Sequence, residues 1–134
     1  MRSPEWRPSL EATINRYSAS NFAWGNSDCV LFALDVIQSV SGRDLYREER
    51  GAYSDEKSAD ARLAANGFAI PEDVIAAHCP EIPVASAEEG DLGVVNTGKG
   101  TTLCVFKDDG VLAWTFRGLR RLDRAAVLRA YRVA

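Results

Sequence analysis

The sequence predicts an α+β fold: N-terminal helices, one of them buried and central, packed on a small antiparallel β-sheet. Three observations predict it. The run from Cys29 to Val40 is apolar on nearly every side, as a helix enclosed by other elements must be. Hydrophobic spacing is helical in the first half and changes near residue 90 to short β-rich runs. Glycine-bearing turns, Thr97-Gly98-Lys99-Gly100 and Asp108-Asp109-Gly110, separate those runs as in a meander. Helices first and strands afterwards is the α+β order.

Each element has its own signal. Leu10, Ile14 and Tyr17 recur at i, i+4 and i+7 and predict a short amphipathic helix over about 8–19. Asn26, Ser27 and Asp28 are all good N-cap types and precede the central helix. That helix runs to about Val40, where Ser41-Gly42 stops it. Val30, Ala33, Leu34 and Ile37 make one stripe, and Leu31, Phe32, Val36 and Val40 cover most of the remainder. A third helix over about 55–65 is expected to be capped by Ser54 and ended by Asn66-Gly67. A short fourth helix follows Pro71, a residue suited to the first helical position, and stops before Pro80. Strands are expected at Leu92–Asn96, Thr102–Lys107, Val111–Phe116 and Gly118–Leu122. Asp123 caps one more helical turn, and a last strand lies near Tyr131-Arg132-Val133. The reading is one domain over 1–134, helical to about 80 and a β-meander from about 90.

A chain of 134 residues can bury a core without metal or disulfide staples. A net charge of −3 argues against an electrostatic nucleic-acid binder. Cys29, Cys79 and Cys104 are widely spaced, with no CxxC, so neither a disulfide framework nor a zinc site is expected, and no cofactor is implied. Reduced thiols fit synthesis in a reducing cytoplasm. Cys79 and Cys104 read as core residues. The segment MRSPEWRPSL has no apolar core of signal-peptide length, and no run approaches a membrane span, so no membrane insertion is expected. The pairs Glu88-Glu89 and the segment Arg47-Glu48-Glu49-Arg50 read as solvated faces. Residues 117–134 hold Arg117, Arg120, Arg121, Arg124, Arg129 and Arg132 against Asp123 alone among acids. That cluster is either a solvated basic edge or a contact for an acidic partner.

The chemistry turns on Cys29. A thiol in the first turn of a helix feels the positive end of the helix dipole, which favours the thiolate. A cysteine hydrolase also needs a base, usually histidine, within hydrogen-bond reach. The bland alternative is a small core residue that follows a cap. The chain's single histidine, His78, lies in the helical stretch Val74-Ile75-Ala76-Ala77-His78-Cys79, and reads either as a replacement base or as an ordinary helix-end histidine.

Phe22-Ala23-Trp24-Gly25, then Asp28-Cys29 and a buried helix, resembles the nucleophile motif of the NlpC/P60 peptidases, papain-like cell-wall endopeptidases. Glu89-Gly90-Asp91-Leu92-Gly93-Val94-Val95 resembles the Gly-Asp-Leu strand that opens that family's barrel. With the helix-then-meander order, the resemblance covers most of residues 17–133. It implies the NlpC/P60 fold, Cys29 as nucleophile if the protein is active, Asp28 as a motif residue, and Trp24 either packed over the helix start or lining a substrate groove. The family's histidine would fall at Thr102, in Thr102-Leu103-Cys104-Val105-Phe106, and threonine takes up no proton near neutral pH. The family's third polar residue would fall near Trp114 or Thr115. The layout is similar to small phage and prophage tail-associated proteins that lack the histidine. The resemblance therefore implies a tail-tip protein of the virion, made in a bacterial host's cytoplasm, that docks through Arg117, Arg120, Arg121 and Arg124 on hub or baseplate proteins, with peptidoglycan as a further partner. Two other classes stay open: an active peptidoglycan endopeptidase or amidase, and a cytoplasmic thiol-dependent acyltransferase or amidase on the same fold.

Overall fold

A computed structural model describes residues 2–45 and 49–134. The architecture is α+β: among the described residues, four α-helices are followed by a six-stranded, wholly antiparallel sheet. The helices are α1 (Trp6–Ser18), α2 (Cys29–Ser41), α3 (Glu56–Ala65) and α4 (Pro71–His78). The strands are β1 (Glu81–Ile82), β2 (Leu92–Asn96), β3 (Thr101–Lys107), β4 (Gly110–Thr115), β5 (Gly118–Asp123) and β6 (Val127–Tyr131). Their order in the sheet is β1-β6-β2-β3-β4-β5.

The predicted start and stop of α2 are both realised. Asp28 Oδ1 accepts the Leu31 N–H at 3.0 Å, and Gly42 at φ +79 donates its N–H to the Gln38 carbonyl at 2.8 Å. Eight of its residues are buried, among them Leu31, Phe32, Leu34, Val36, Ile37 and Val40. They meet Leu92, Val94, Leu103, Val105, Trp114 and Tyr131 from the sheet, with Leu10, Ile14 and Tyr17 from α1 and Val74 and Ile75 from α4. The other face of the sheet is buried too: Val95, Cys104, Phe106, Val111, Ala113, Val127 and Ala130 form a second cluster with Ala87. Strand alternation divides the two sets. Cys79 and Cys104 are buried free thiols, as the sequence suggests.

Several expectations need correction. The cap of α3 is Asp55, not Ser54: its carboxylate accepts the Ser58 N–H at 2.7 Å while Ser58 Oγ accepts the Asp55 N–H, a reciprocal box that Ser54 stands one residue too early to make. The last strand is Val127–Tyr131, four residues earlier at its start than expected. It slots between β1 and β2, so only β2 to β5 form a meander, and the sheet includes residues before Asp91. The central helix carries one buried charge, Asp35. Arg50 is not simply a solvated residue, since its Nη2 donates to both Asp35 oxygens at 3.2 Å, and Glu49 pairs with Arg62 at 2.9 Å. Arg47 and Glu48 lie outside the described residues.

The candidate site at the start of the central helix

The loop that delivers Cys29 is fixed by contacts its own sequence makes possible. Gly25 sits at φ +77, and a Cβ there would stand 1.9 Å from the Tyr53 carbonyl oxygen, so the position admits only glycine. Its carbonyl accepts the Gly51 N–H at 2.7 Å. Asp28 clasps both ends of the turn: Oδ2 accepts the Gly25 N–H at 2.8 Å and Oδ1 caps α2. The buried Trp114 indole donates to the Ser27 carbonyl at 2.6 Å, tying the turn to β4. Trp24 is half-buried and edge-on to Phe22, with centroids 4.9 Å apart, and Phe116 completes an aromatic shelf.

Cys29 is the first residue of α2 and half-buried. It lines a groove of about 910 Å³ whose walls also include Trp24, Tyr53, Leu63, Phe68, Thr102 and His78. Its thiol is not activated. Burial first, and then the Asp28 carboxylate, push it from 9.0 up to about 12, against the pull of the Cys29 and Val30 backbone amides. The expectation that the helix start favours the thiolate is corrected for that reason: burial, with the charge of the capping carboxylate added, outweighs the backbone amides. Tyr53 is the other neighbour. Burial, the Asp28 carboxylate and the Cys29 sulfur all push its phenol upward, so it too keeps its proton.

Among the described residues, no side chain is hydrogen-bonded to the thiol as a base. Thr102 reaches the groove from the start of β3, but its hydroxyl donates to the Trp114 carbonyl at 2.8 Å. Leu103 and Val105 face α2 while Cys104 and Phe106 face away, so alternation aims Thr102 away from α2. His78 ends α4, exposed, and its carbonyl accepts from Arg43 Nη2 at 3.4 Å. Arg43 lies just beyond the last turn of α2, whose 13 residues span about 20 Å from Cys29. Among the described residues no hydrogen bond joins Cys29 to His78, and the groups acting on the sulfur are Asp28 and two backbone amides. Nor do three His, Cys, Asp or Glu side chains, among the described residues, gather to hold a metal ion.

Asp91, from the Gly-Asp-Leu stretch, is wholly buried. It accepts from Arg2 Nη2 at 2.9 Å, the Glu88 N–H at 2.8 Å and the Val133 N–H at 3.0 Å, so it joins the two ends of the described chain. Of the arginines, Arg117, Arg120 and Arg121 are exposed on or beside β5. Arg124 is turned inward: its Nη2 donates to the Val84 and Ala87 carbonyls at 2.6 and 2.7 Å, and its guanidinium lies 4.9 Å over the Phe106 ring. It is half-buried, with Nη2 engaged by those two carbonyls.

Sequence reasoning missed Tyr53 and Asp35. Asp35 had a visible signal, as the lone charged residue between Asp28 and Arg43. Buried itself, it binds the buried Tyr17 and the partly exposed Arg16 and Arg50. Tyr53 had none, because its place depends on how the segment after Glu49 folds back over Gly25.

A family model described as a domain of unknown function, DUF6950, matches residues 1–133. No curated protein and no solved structure matches the chain.

Proposed function

The chain belongs to the DUF6950 family, and with the geometry at Cys29 as second premise we propose that it is a catalytically silent relative of the NlpC/P60 cysteine peptidases, serving as a structural component of a phage tail tip. One observation carries the reading. The thiol stands at the first residue of a buried helix beside a Trp-Gly turn, where a peptidase nucleophile would stand, yet burial and then the Asp28 carboxylate hold its proton on. With the thiol pushed well above its ordinary 9.0, it stays protonated near neutral pH. A positioned general base contributes about 10²–10⁴-fold, and among the described residues none is hydrogen-bonded to the thiol. The motif residues support the same reading as structure: Gly25 and Asp28 build the turn, and Asp91 clasps the chain. The resemblance supplies the tail tip, and Arg117, Arg120 and Arg121 offer planar forks to carboxylates of hub or baseplate proteins.

The second reading is an active endopeptidase or amidase that cleaves peptidoglycan during infection, with Cys29 as nucleophile. The groove favours it, because about 910 Å³ is a typical ligand-site volume and the groove reaches the thiol. Purified protein incubated with peptidoglycan sacculi separates the two. Release of soluble fragments should stay at the level of Cys29→Ala. Release that Cys29→Ala abolishes would establish the enzyme. Purified phage particles should contain the chain, and its absence from them would overturn the tail-tip role.

A further inference from the structure

We propose that the outer edge of β5 is a docking strand for an extended acidic segment of a partner protein, which adds to the sheet beyond its present six strands. The existence of such a partner rests on the assembly role above; the surface and the mode of binding are read from β5 itself.

β5 ends the sheet order and pairs only with β4, over Gly118–Asp123. In an antiparallel ladder every second residue turns its N–H and C=O away from the neighbour. Among the described residues, the Gly118 carbonyl accepts from Thr115 Oγ1 at 2.8 Å, and no backbone group of Leu119–Asp123 bonds to backbone outside that ladder. The edge is therefore an open template of donors and acceptors, which is what strand addition requires.

Charge selects the occupant. Leu119 packs with the cluster around α2 and Leu122 with the cluster on the opposite face. Alternation then puts Arg121 on the first face and Arg120 on the second, both exposed. Arg117 stands in the tight β4–β5 turn beside Phe116, which is 72 % exposed. The cleft between this edge and the end of α1, about 590 Å³, has all three arginines in its walls and no carboxylate. Arg121 is loosely held, with Nη1 on the Lys107 carbonyl at 3.1 Å and Asp108 at 3.6 Å. A second copy of β5 would bring arginines opposite arginines, and like charges facing across a strand pair repel. A strand with two adjacent acids meets a cation on each face at once, because adjacent residues also point to opposite faces. The arginines thus close the edge to self-association and leave it open to an acidic strand.

The probe is a fluorescein-labelled peptide of about eight residues, with two central glutamates flanked by valine and threonine, followed by fluorescence anisotropy against the full chain. Saturable binding is expected. It should weaken at least tenfold for the same peptide N-methylated at alternate residues, and for the peptide with lysine in place of glutamate. It should weaken equally for the chain carrying Arg120→Glu and Arg121→Glu, whose unchanged circular dichroism would show that it folds. Absence of binding, full binding of the N-methylated peptide, or undiminished binding by the double variant would overturn the proposal. So would a dimer of the native chain, seen in sedimentation, that the double variant dissolves. None of these outcomes bears on the thiol, and peptidoglycan cleavage would overturn the silent-peptidase reading while leaving this edge as it is.

Discussion

At the scale of single residues, Cys29 shows how a neighbour can reverse a local effect. A helix N-terminus favours a thiolate by a fraction of a charge placed at the first turn. Here burial of the sulfur comes first, and the carboxylate of the residue that caps the helix adds to it. Both keep the proton on. The outcome is checked by the pH dependence of Cys29 alkylation, followed by mass spectrometry at that residue. Its midpoint should lie well above 9.0, near 12, and an Asp28→Asn chain should show a lower one. A midpoint below 9.0 in the native chain would mean that the thiol is activated after all. The same residue shapes stability: a group whose folded pKa is raised contributes fully below its unfolded value and less as pH rises through the folded one. The Cys29 contribution is therefore present below 9.0 and declines between 9.0 and about 12.

At the scale of elements, α2 is held at both ends and in the middle by different chemistry. Its start is capped by Asp28 and its end by Gly42, and both follow from residue type. Its middle is held by Asp35, which gathers Tyr17 from α1, Arg16 at 3.0 Å and Arg50 at 3.2 Å. Arg16 and Arg50 are partly exposed and can return to water when the carboxylate is lost. Asp35→Asn should therefore cost about 1–3 kcal/mol, below the cost of stranding a wholly buried charge. Urea unfolding measures it: the midpoint should fall with an unchanged slope. Arg50 also donates to the Asn26 carbonyl at 2.8 Å, so the same substitution loosens the segment over the Cys29 turn.

At the scale of the whole molecule, two buried carboxylates tie distant parts together. Asp91 joins the segments at either end of the described chain. Glu72 joins α4 to β6, accepting from Arg129 at 2.5 and 2.8 Å and from the Tyr131 hydroxyl at 2.6 Å. The Arg129 hydrogen bonds, with the Tyr131 bond, hold the Glu72 carboxyl below its ordinary 4.5, against burial. A depressed carboxyl contributes stability above its unfolded pKa and loses it as pH falls through the folded one. Thermal unfolding should thus show a decline in Tm below about pH 4.5 that is shallower in Glu72→Gln. An equal slope in both chains would remove Glu72 from the acid response.

The sequence by itself determined the elements that depend on near neighbours. Caps, glycine stops, proline starts and hydrophobic period act within a turn or a strand, so α2, α4 and the meander from Leu92 to Asp123 were legible. The two-residue β1 carried too short a pattern to register, and β6 lay earlier than its aromatic residue suggested. What only the tertiary structure decided depends on residues far apart in the chain. Arg124 looked like a surface cation until two carbonyls about forty positions away, at Val84 and Ala87, claimed it. Asp91 looked like a motif residue and proved to bind Arg2 and the Val133 N–H. The Cys29 thiol had a clear local setting, but its proton affinity was set by enclosure, and enclosure is a property of the packed molecule. Burial and long-range charge have no period and no fixed spacing, so a linear reading cannot weigh them.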